Sequence, residues 1–276
     1  LHYVDWGNPD APPMILIHGG RDHCRNWDWV AEQFRDDYHI IAPDLRGHGD
    51  SQWMVGGAYS HIDYVYDIAQ LLLQKQMSPV TIIGHSLGGS ISLLYTALHP
   101  DNVKKLVAIE GMGPPPSMIA DRINQPAEKR LHNWFSDLRK SSGRIVKRYP
   151  TLEDAFQRMQ TENPHLSEEQ ARHLTIHGSN QNEDGTFSWK FDNYVRNFSP
   201  IGVPFNETSE LYANITCPTL LVRGLESWAS DPVADGRTKV FNCPVEVVAF
   251  ANAGHWVHHD QLDSFVERVK DFLADG

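Results

Sequence analysis

A serine stands at the centre of the segment Gly84-His85-Ser86-Leu87-Gly88, with a glycine two residues before it and two residues after it. An apolar run, residues 80–83, precedes this segment, and a helix-like stretch, residues 90–98, follows it. In that context the serine occupies a strained strand-to-helix turn, and the flanking glycines let the strand and the helix approach each other. The pattern predicts that Ser86 is a nucleophile and that the N–H of Leu87 is one donor of an oxyanion hole.

A second turn, Ile17-His18-Gly19-Gly20, ends the apolar run of residues 14–17. A backbone N–H at the end of such a strand can complete an oxyanion hole together with the amide that follows the nucleophile. We therefore predict that Gly20 is the second donor. His18 and Gly19 are expected to shape the loop that presents it.

A histidine near the C terminus is the predicted general base. In Ala253-Gly254-His255-Trp256 it follows the apolar run of residues 245–250 and precedes a helical pattern over residues 262–273. This order places His255 on a loop at the carboxyl edge of a sheet, where it can take a proton from a nucleophilic serine.

Other potential metal ligands follow this histidine closely. His258, His259 and Asp260 are residue types that bind zinc. A second set of ligands at metal-binding spacing does not occur, and neither does an HExxH motif. We interpret His258 and His259 as loop or helix-start residues and predict neither a metal nor a cofactor.

The elements that must position these residues follow from the hydrophobic pattern. Segments such as residues 62–74 have apolar residues near helical spacing and predict crossover helices. Alternation of buried strands with such helices predicts an α/β fold with a doubly wound, mostly parallel sheet that binds ligands at the carboxyl ends of its strands. The six short apolar runs that predict strands are residues 14–17, 39–42, 80–83, 106–109, 219–222 and 245–250.

The alternation breaks in the middle of the chain, where aromatic residues are scattered among many charges without a strand pattern. Ser167 followed by Gln170 resembles a capping box, and Thr151 is a plausible helix N-cap, so short helices are expected there. The sequence of residues 185–189 is compatible with either a short extended segment or a turn. The predicted division is a first core part at 1–112, an inserted helical cap at 113–205, and a second core part at 206–276.

Composition narrows the range of partners. The 276-residue chain has a formal net charge of −11 and lacks any Lys/Arg-rich run, which disfavours nucleic acid. No apolar run reaches the roughly 20 residues that span a bilayer, so no membrane partner is expected. Three widely spaced cysteines fit a reducing, cytoplasmic location. We expect a small-molecule substrate and a monomer or homodimer.

Taken together, these motifs resemble the α/β-hydrolase-fold superfamily of esterases, epoxide hydrolases and haloalkane dehalogenases. Asp44-Leu45-Arg46-Gly47-His48-Gly49-Asp50-Ser51 is similar to a loop of that family, as is the Gly-His-Trp sequence at 254–256, and the cap segment 163–167 looks most like serine hydrolase-like proteins. The resemblance implies an aspartate nucleophile in dehalogenases and typical epoxide hydrolases. Because this chain has Ser86 instead, it is expected to be a serine hydrolase resembling carboxylesterases.

The acid that orients the histidine should lie between the serine and the histidine in chain order. The resemblance implies an Asp three residues after the glycine that closes the family's seventh strand, but this chain has Ser227 there. Some relatives supply the acid after the sixth strand, where this chain has Glu110. We predict Glu110 as the acid and retain Glu226 and Asp231 as alternatives.

The predicted reaction is acyl transfer through an acyl-enzyme, in which Ser86 attacks a carbonyl and water then releases the acyl group. Carboxylic esters or related acyl compounds that are small and partly apolar are the expected substrates, with Trp256 and Met112 as pocket walls. Three alternatives remain: a carbon–carbon bond hydrolase that uses the same triad, a perhydrolase or haloperoxidase side activity, and a non-catalytic ligand receptor on the same fold.

Overall fold

The computed structural model describes residues 1–55, 59–197, 207 and 210–274. Seven of the strands in this part of the chain form one sheet, and two form a separate hairpin. The strands are β1 (Tyr3–Asp5), β2 (Pro13–Ile17), β3 (His39–Pro43), β4 (Val80–His85), β5 (Val103–Ile109), β6 (Ser179–Gln181), β7 (Phe187–Trp189), β8 (Thr219–Gly224) and β9 (Val245–Phe250).

The large sheet has the strand order β1-β3-β2-β4-β5-β8-β9. β1 pairs with β3 antiparallel, and the other neighbouring strands are parallel. The α/β class and the mostly parallel sheet are therefore confirmed, and all six predicted strands are present. β1 was not predicted, because its three partly exposed residues are too few to display a period.

Helices in the described part of the chain include α1 (Asp28–Phe34), α2 (His61–Lys75), α3 (Leu87–Leu98), α4 (Pro116–Ile123), α5 (Ala127–Ser142), α6 (Leu152–Glu162), α7 (Glu168–Gly178), α8 (Val257–Asp260) and α9 (Leu262–Ala274). α2 and α3 cover one face of the large sheet, and α1 and α9 cover the other. None of the helices in the described part of the chain is long and apolar enough to cross a lipid bilayer.

The core consists of two apolar layers separated by the sheet. Successive side chains of a strand point to opposite faces, and in β2 Ile15 and Ile17 pack in the layer that contains α2 and α3, whereas Met14 and Leu16 pack against α1 and α9. Burial on both faces explains why the central strands are continuous apolar runs. It also holds the carboxyl ends of the strands rigidly at one edge.

The segment between β5 and β8 contains α4 to α7 and the hairpin of β6 and β7. Capping boxes begin α6 at Thr151 and α7 at Ser167, as the sequence indicated. The absence of a strand pattern was misleading, since residues 187–189 form a strand. Strands of three residues are too short to show alternation, and Gly185, at φ +81°, makes the turn between them.

The helical segment packs partly on itself and partly on the core. Phe156, Leu166, Ala171 and Leu174 are buried together, and Trp256 from the core packs against them. The division at residues 112, 205 and 206 stays a prediction, and residues 205 and 206 lie outside the described residues.

Candidate active site

Ser86 lies in a sharp turn between β4 and α3. Its backbone has φ 51° and ψ −113°, a conformation that costs a residue with a side chain about 1–3 kcal/mol. The Ser86 N–H donates to the carbonyl oxygen of Ile109 at 2.7 Å, which ties the turn to β5. A Cβ on Gly88 would collide with the carbonyl oxygens of Ile17 and His18, so a glycine is needed for the close approach of α3 to β2.

His255 lies beside this serine. Its Nε2 is 2.9 Å from Oγ of Ser86. Since the hydroxyl donates to Nε2, the ring proton is assigned to Nδ1. Two contacts hold the loop: Oδ2 of Asp260 accepts from the Gly254 N–H at 2.8 Å, and Nε2 of His85 donates to the His255 carbonyl oxygen at 2.8 Å. Sequence reasoning did not anticipate that role for His85.

Glu110 follows β5 and also has a left-handed backbone, at φ 53°. Its carboxylate is buried, and Oε2 lies 3.6 Å from Nδ1 of His255, which is an ion-pair distance rather than a hydrogen bond. Oε1 accepts from the Gly224 N–H at 2.7 Å, and Oε2 accepts from the Ser227 hydroxyl at 2.8 Å. These contacts aim the carboxylate at His255.

The two alternative acids are engaged elsewhere. The half-exposed carboxylate of Glu226 lies 3.5 Å from Nε2 of His165, at the start of the segment that leads into α7. Asp231 forms an ion pair of 3.0 Å with Arg223 and accepts from the Val233 N–H. Of the three predicted acids, Glu110 is thus the one that the structure brings to Nδ1 of His255.

Gly20 and Leu87 are neighbours across the site, because a Cβ placed on Gly20 would lie 3.8 Å from the Leu87 side chain. Nε2 of His18 accepts from the Leu45 N–H at 2.9 Å, so its Nδ1 carries the proton and donates to the Gly19 carbonyl oxygen at 2.6 Å. The Gly19 carbonyl and the Gly20 N–H belong to one planar peptide. By holding the carbonyl, His18 sets the direction of the Gly20 N–H.

The His18 ring is fully buried, and burial lowers its pKa. The ring therefore stays neutral near pH 7, as its two hydrogen bonds require. The sequence indicated that this residue shapes the loop but not which atoms it would hold.

One aromatic residue at the site was not predicted. The ring of Trp228 lies 5.1 Å from that of His255, centroid to centroid, although the side chain is 62% exposed. The sequence signal for Trp228 is its position directly after Glu226 and Ser227, in the loop that contains one of the alternative acids. The two residues predicted to line the substrate pocket lie in different places. Trp256 packs against the helical segment, and Met112 lines a cleft beside Glu110. Their contact with substrate stays a prediction.

His258 and His259 lie in α8, and both rings donate from Nε2 to Oδ1 of Asn26, at 2.7 and 3.0 Å. Burial lowers the pKa of His259 to about 3, so it stays neutral. These contacts anchor α8, and with it the loop of His255, to the turn that contains Asn26.

Elsewhere in the described part of the chain, three residues whose side chains can bind a metal ion lie close together. Ligand atoms of His2, Cys24 and Asp44 lie within 4.8 Å of one another. The carboxylate of Asp44 accepts from the backbone N–H groups of Cys24 and Asp50, at 2.7 and 2.9 Å. These bonds make Asp44 the anchor of the loop that follows β3.

The comparisons with known proteins agree with this fold. A family model described as alpha/beta hydrolase fold matches residues 12–262. The serine hydrolase-like protein of Danio rerio is 23% identical over 274 residues, which cover 97% of this chain and 83% of that protein. The esterase Rv0045c of Mycobacterium tuberculosis is 27% identical over 276 residues, which cover 97% of this chain and 84% of that protein.

Among solved structures, the thioesterase domain from the curacin biosynthetic pathway has a TM-score of 0.82 at 24% identity. The match covers 97% of this chain and 94% of that one, and it shows the likeness of fold. The family match and the names of the relatives support hydrolase activity. On the strength of the match over residues 12–262, this chain belongs to the alpha/beta hydrolase fold family.

Proposed function

We propose that this chain is a serine hydrolase that cleaves carboxylic ester or related acyl bonds of small, partly apolar substrates through Ser86, His255 and Glu110. The observation that supports this most directly is the 2.9 Å contact between Nε2 of His255 and Oγ of Ser86. A base within hydrogen-bond distance of a serine hydroxyl is the arrangement that activates it as a nucleophile.

In the first half of the reaction, His255 takes the Ser86 proton while Oγ attacks the substrate carbonyl carbon. The proton then passes from Nε2 to the leaving alcohol, and the acyl group remains on Ser86. In the second half, a water molecule gives its proton to Nε2 and its oxygen attacks the acyl carbon. Collapse of that intermediate returns the proton to Ser86 and releases the acid.

The oxyanion that forms in each half is assigned to the amides of Gly20 and Leu87. One such donor contributes about 3 kcal/mol to the stability of the transition state. The buried carboxylate of Glu110 stabilises the imidazolium that forms when His255 is protonated, and it favours the tautomer with the proton on Nδ1.

The experiment is to label the protein with a fluorophosphonate probe and then to assay 4-nitrophenyl esters of increasing acyl length. The wild type is expected to carry one label on Ser86 and to show a chain-length optimum. Ser86→Ala should abolish labelling and lower kcat by about 10⁶-fold.

The matched control is Ser90→Ala. Ser90 lies one helical turn away in α3, and its hydroxyl donates to the Gly111 carbonyl oxygen at 2.6 Å. This variant is expected to keep the label. Absence of the label in the wild type would contradict a serine nucleophile, and a label without turnover of any ester would contradict the substrate class.

A further inference from the structure

One buried side chain connects the oxyanion turn to the loop of the general base. Asn26 is fully buried, and its side-chain amide makes hydrogen bonds at both ends. Oδ1 accepts from Nε2 of His258 and from Nε2 of His259, at 2.7 and 3.0 Å. At the other end of the amide, Nδ2 donates to Oδ2 of Asp22. A single amide thus joins a turn near the N terminus to a helix that lies 232 positions later in the chain.

On one side of Asn26 lies the turn that presents the predicted oxyanion donor. Asp22 is the second residue after Gly20, and Arg21 between them has a left-handed backbone at φ +64°. Such a conformation persists only where the surrounding structure holds it. The Asp22 carboxylate binds the Asn26 side chain through Oδ2 and accepts from the His23 N–H through Oδ1, at 2.9 Å. The Asn26 N–H also donates to the His23 carbonyl oxygen, at 3.1 Å. Asn26 therefore fixes the end of the oxyanion turn.

On the other side of Asn26 lies the loop of the general base. His258 and His259 are the third and fourth residues after His255. Burial lowers the pKa of both rings, so each ring is neutral and has a single N–H. The hydrogen bonds to Asn26 occupy both of these N–H groups. Without the Asn26 amide oxygen, two buried donors would lose their partner, and the start of α8 would lose its attachment.

Ring packing connects the same turn to the base loop by a second route. Trp27 follows Asn26 directly, and its ring stacks on that of His258, with centroids 4.6 Å apart and planes at 24°. The His258 ring also lies 4.8 Å from that of His85, which donates to the His255 carbonyl oxygen. The position of the His255 backbone therefore depends on the Asn26 turn through both hydrogen bonds and ring contacts.

The separation between the oxyanion donor and the base matters for acyl transfer. Both act on one tetrahedral intermediate, because the first binds its oxygen and the second passes the proton. A displacement of about 1 Å in such a site can cost about 10²-fold in rate. Three strands of the sheet lie between β2, which leads to Gly20, and β9, which leads to His255. The contacts of Asn26 connect the two segments directly.

We infer that Asn26 is a positioning residue that sets the distance between the oxyanion turn and the general base, through Asp22 on one side and the two histidines of α8 on the other. The inference rests on the proposed function, because it concerns how the groups that assist Ser86 are held. Asn26 acts through these neighbours and not by contact with substrate. Its loss should therefore weaken binding of the transition state more than binding of the substrate.

The test measures kcat per fluorophosphonate-labelled site, so that unfolded protein does not contribute. Assays are run at pH 8, where most of the Asp22 carboxyl is ionised, since burial raises its pKa to about 7. Asn26→Leu removes both ends of the amide at similar volume. It should lower kcat for the preferred 4-nitrophenyl ester about 100-fold, while KM changes less than threefold. The Ki of a trifluoromethyl ketone, which Ser86 attacks to form a bound oxyanion, should rise by about the factor by which kcat/KM falls.

The matched control is Thr96→Val. Thr96 is fully buried, and its hydroxyl donates to the Ser92 carbonyl oxygen within α3 at 2.7 Å. This variant also loses a buried hydrogen bond, so it should lower the unfolding temperature but keep kcat. On the oxyanion side, Asp22→Leu should lower kcat about tenfold. Asp22→Asn, which retains one oxygen acceptor for the Asn26 amide, should recover part of that loss.

Fluorophosphonate labelling separates this inference from the proposed function. An unlabelled wild type would contradict the serine nucleophile and, with it, the inference. A labelled Asn26→Leu variant that keeps kcat within threefold of the wild type, or loses only affinity for the ester, would overturn the inference and leave the nucleophile in place.

If Asn26→Leu does not fold, a double variant decides the question. Asp22 and His259 bind opposite ends of the Asn26 amide, so their effects should be coupled. Asp22→Leu combined with His259→Phe should lower kcat by less than the product of the two single losses. Losses that multiply in full would overturn the inference.

Discussion

The hydroxyl of Ser227 donates a hydrogen bond of 2.8 Å to Oε2 of Glu110, the carboxylate oxygen that lies 3.6 Å from Nδ1 of His255. Ser227 stands where the family resemblance led us to expect an aspartate. Because β5 and β8 are adjacent parallel strands, with Ile109 opposite Val222, their carboxyl ends meet at one place. A glutamate after β5 can therefore take the position of an aspartate after β8, with the serine orienting it.

This relationship predicts a rescue. Glu110→Gln should lower kcat for an activated ester by about 10³- to 10⁴-fold, because the imidazolium of His255 loses its counter-charge. The double variant Glu110→Gln with Ser227→Asp should recover at least about tenfold of that loss, since it returns a carboxylate to the facing strand end. The measurement is kcat across pH, in which the recovered activity should regain the dependence on a histidine base.

Glu226→Gln and Asp231→Asn are the matched controls for the rescue. Both remove one carboxylate from the same loop, and the structure pairs these carboxylates with His165 and Arg223. Each variant is expected to keep most of the wild-type kcat. If Glu226→Gln lost activity while Glu110→Gln kept it, Glu110 would not be the acid.

The local sequence pattern was sufficient to identify the candidate residues that lie close together at the site. Ser86, Glu110 and Gly20 follow buried strands closely, and strand ends of a parallel sheet are where ligands bind. The choice among Glu110, Glu226 and Asp231 depended on which strands are neighbours. That pairing joins residues more than 100 positions apart in the chain, and no local pattern displays it.

The long-range contacts that fix the geometry of the candidate site could not be predicted from the sequence. The hydrogen bond from His85 to the His255 carbonyl links residues 170 positions apart, and the proximity of Trp228 to His255 depends on the path of a loop. Hydrophobic periodicity reports which face of an element is buried. It contains no information on which polar atoms of different helices, strands and loops come into contact. The roles of His85 and Trp228 therefore became apparent only in the structure.

His18 is predicted to act as a positioning residue. His18→Phe keeps a ring of similar size but removes the proton donor to the Gly19 carbonyl oxygen, so the Gly20 N–H loses its fixed direction. We expect kcat to fall about 10- to 100-fold, part of the effect of losing a whole oxyanion donor, while KM changes little. His18→Asn, which keeps a side-chain donor, should recover part of kcat.

Thermal unfolding of both His18 variants provides the control for folding, because His18 is buried. The prediction is contradicted by a variant that unfolds at a lower temperature yet keeps the wild-type kcat at 25 °C. It is equally contradicted by a loss confined to KM, which would indicate contact with substrate in the ground state.

Trp228 is predicted to contribute to substrate binding. Its ring is close to His255 but 62% exposed, so a substrate near Ser86 can cover apolar area that water now contacts. Trp228→Ala should raise KM for apolar esters about tenfold, while Trp228→Phe should retain most of the affinity. Initial rates with 4-nitrophenyl esters of two acyl lengths measure this. A fall in kcat at constant KM would instead assign Trp228 to the orientation of His255.

The pKa shifts of buried titratable groups determine how the stability of the fold is expected to depend on pH. Burial lowers the pKa of His23 to about 4 and those of His48 and His259 to about 3, from an ordinary value of 6.5. Between these values and 6.5 the unfolded chain binds more protons than the folded chain. The contribution of these groups to the free energy of unfolding is therefore fully present above pH 6.5, and it is lost as the pH falls below that value.

Asp22 acts in the opposite direction, because burial raises its pKa to about 7. Between pH 3.8 and 7 the folded chain holds a proton that the unfolded chain has released, so this group destabilises the fold as the pH rises. Between pH 4 and 6.5 the three histidines outnumber this single carboxyl. The net expectation is that the free energy of unfolding falls on acidification through this range.

His48→Gln tests this account, since it removes one group whose pKa is lowered to about 3. One proton fewer taken up on unfolding should reduce the slope of unfolding free energy against pH by about 1.4 kcal/mol per pH unit at pH 4–5.5, where a histidine of the unfolded chain is largely protonated. The slope is measured by urea denaturation at several pH values, with the exposed His132→Gln on α5 as the control that keeps the wild-type slope. Equal slopes in the two variants would mean that the buried His48 ring takes up its proton without unfolding.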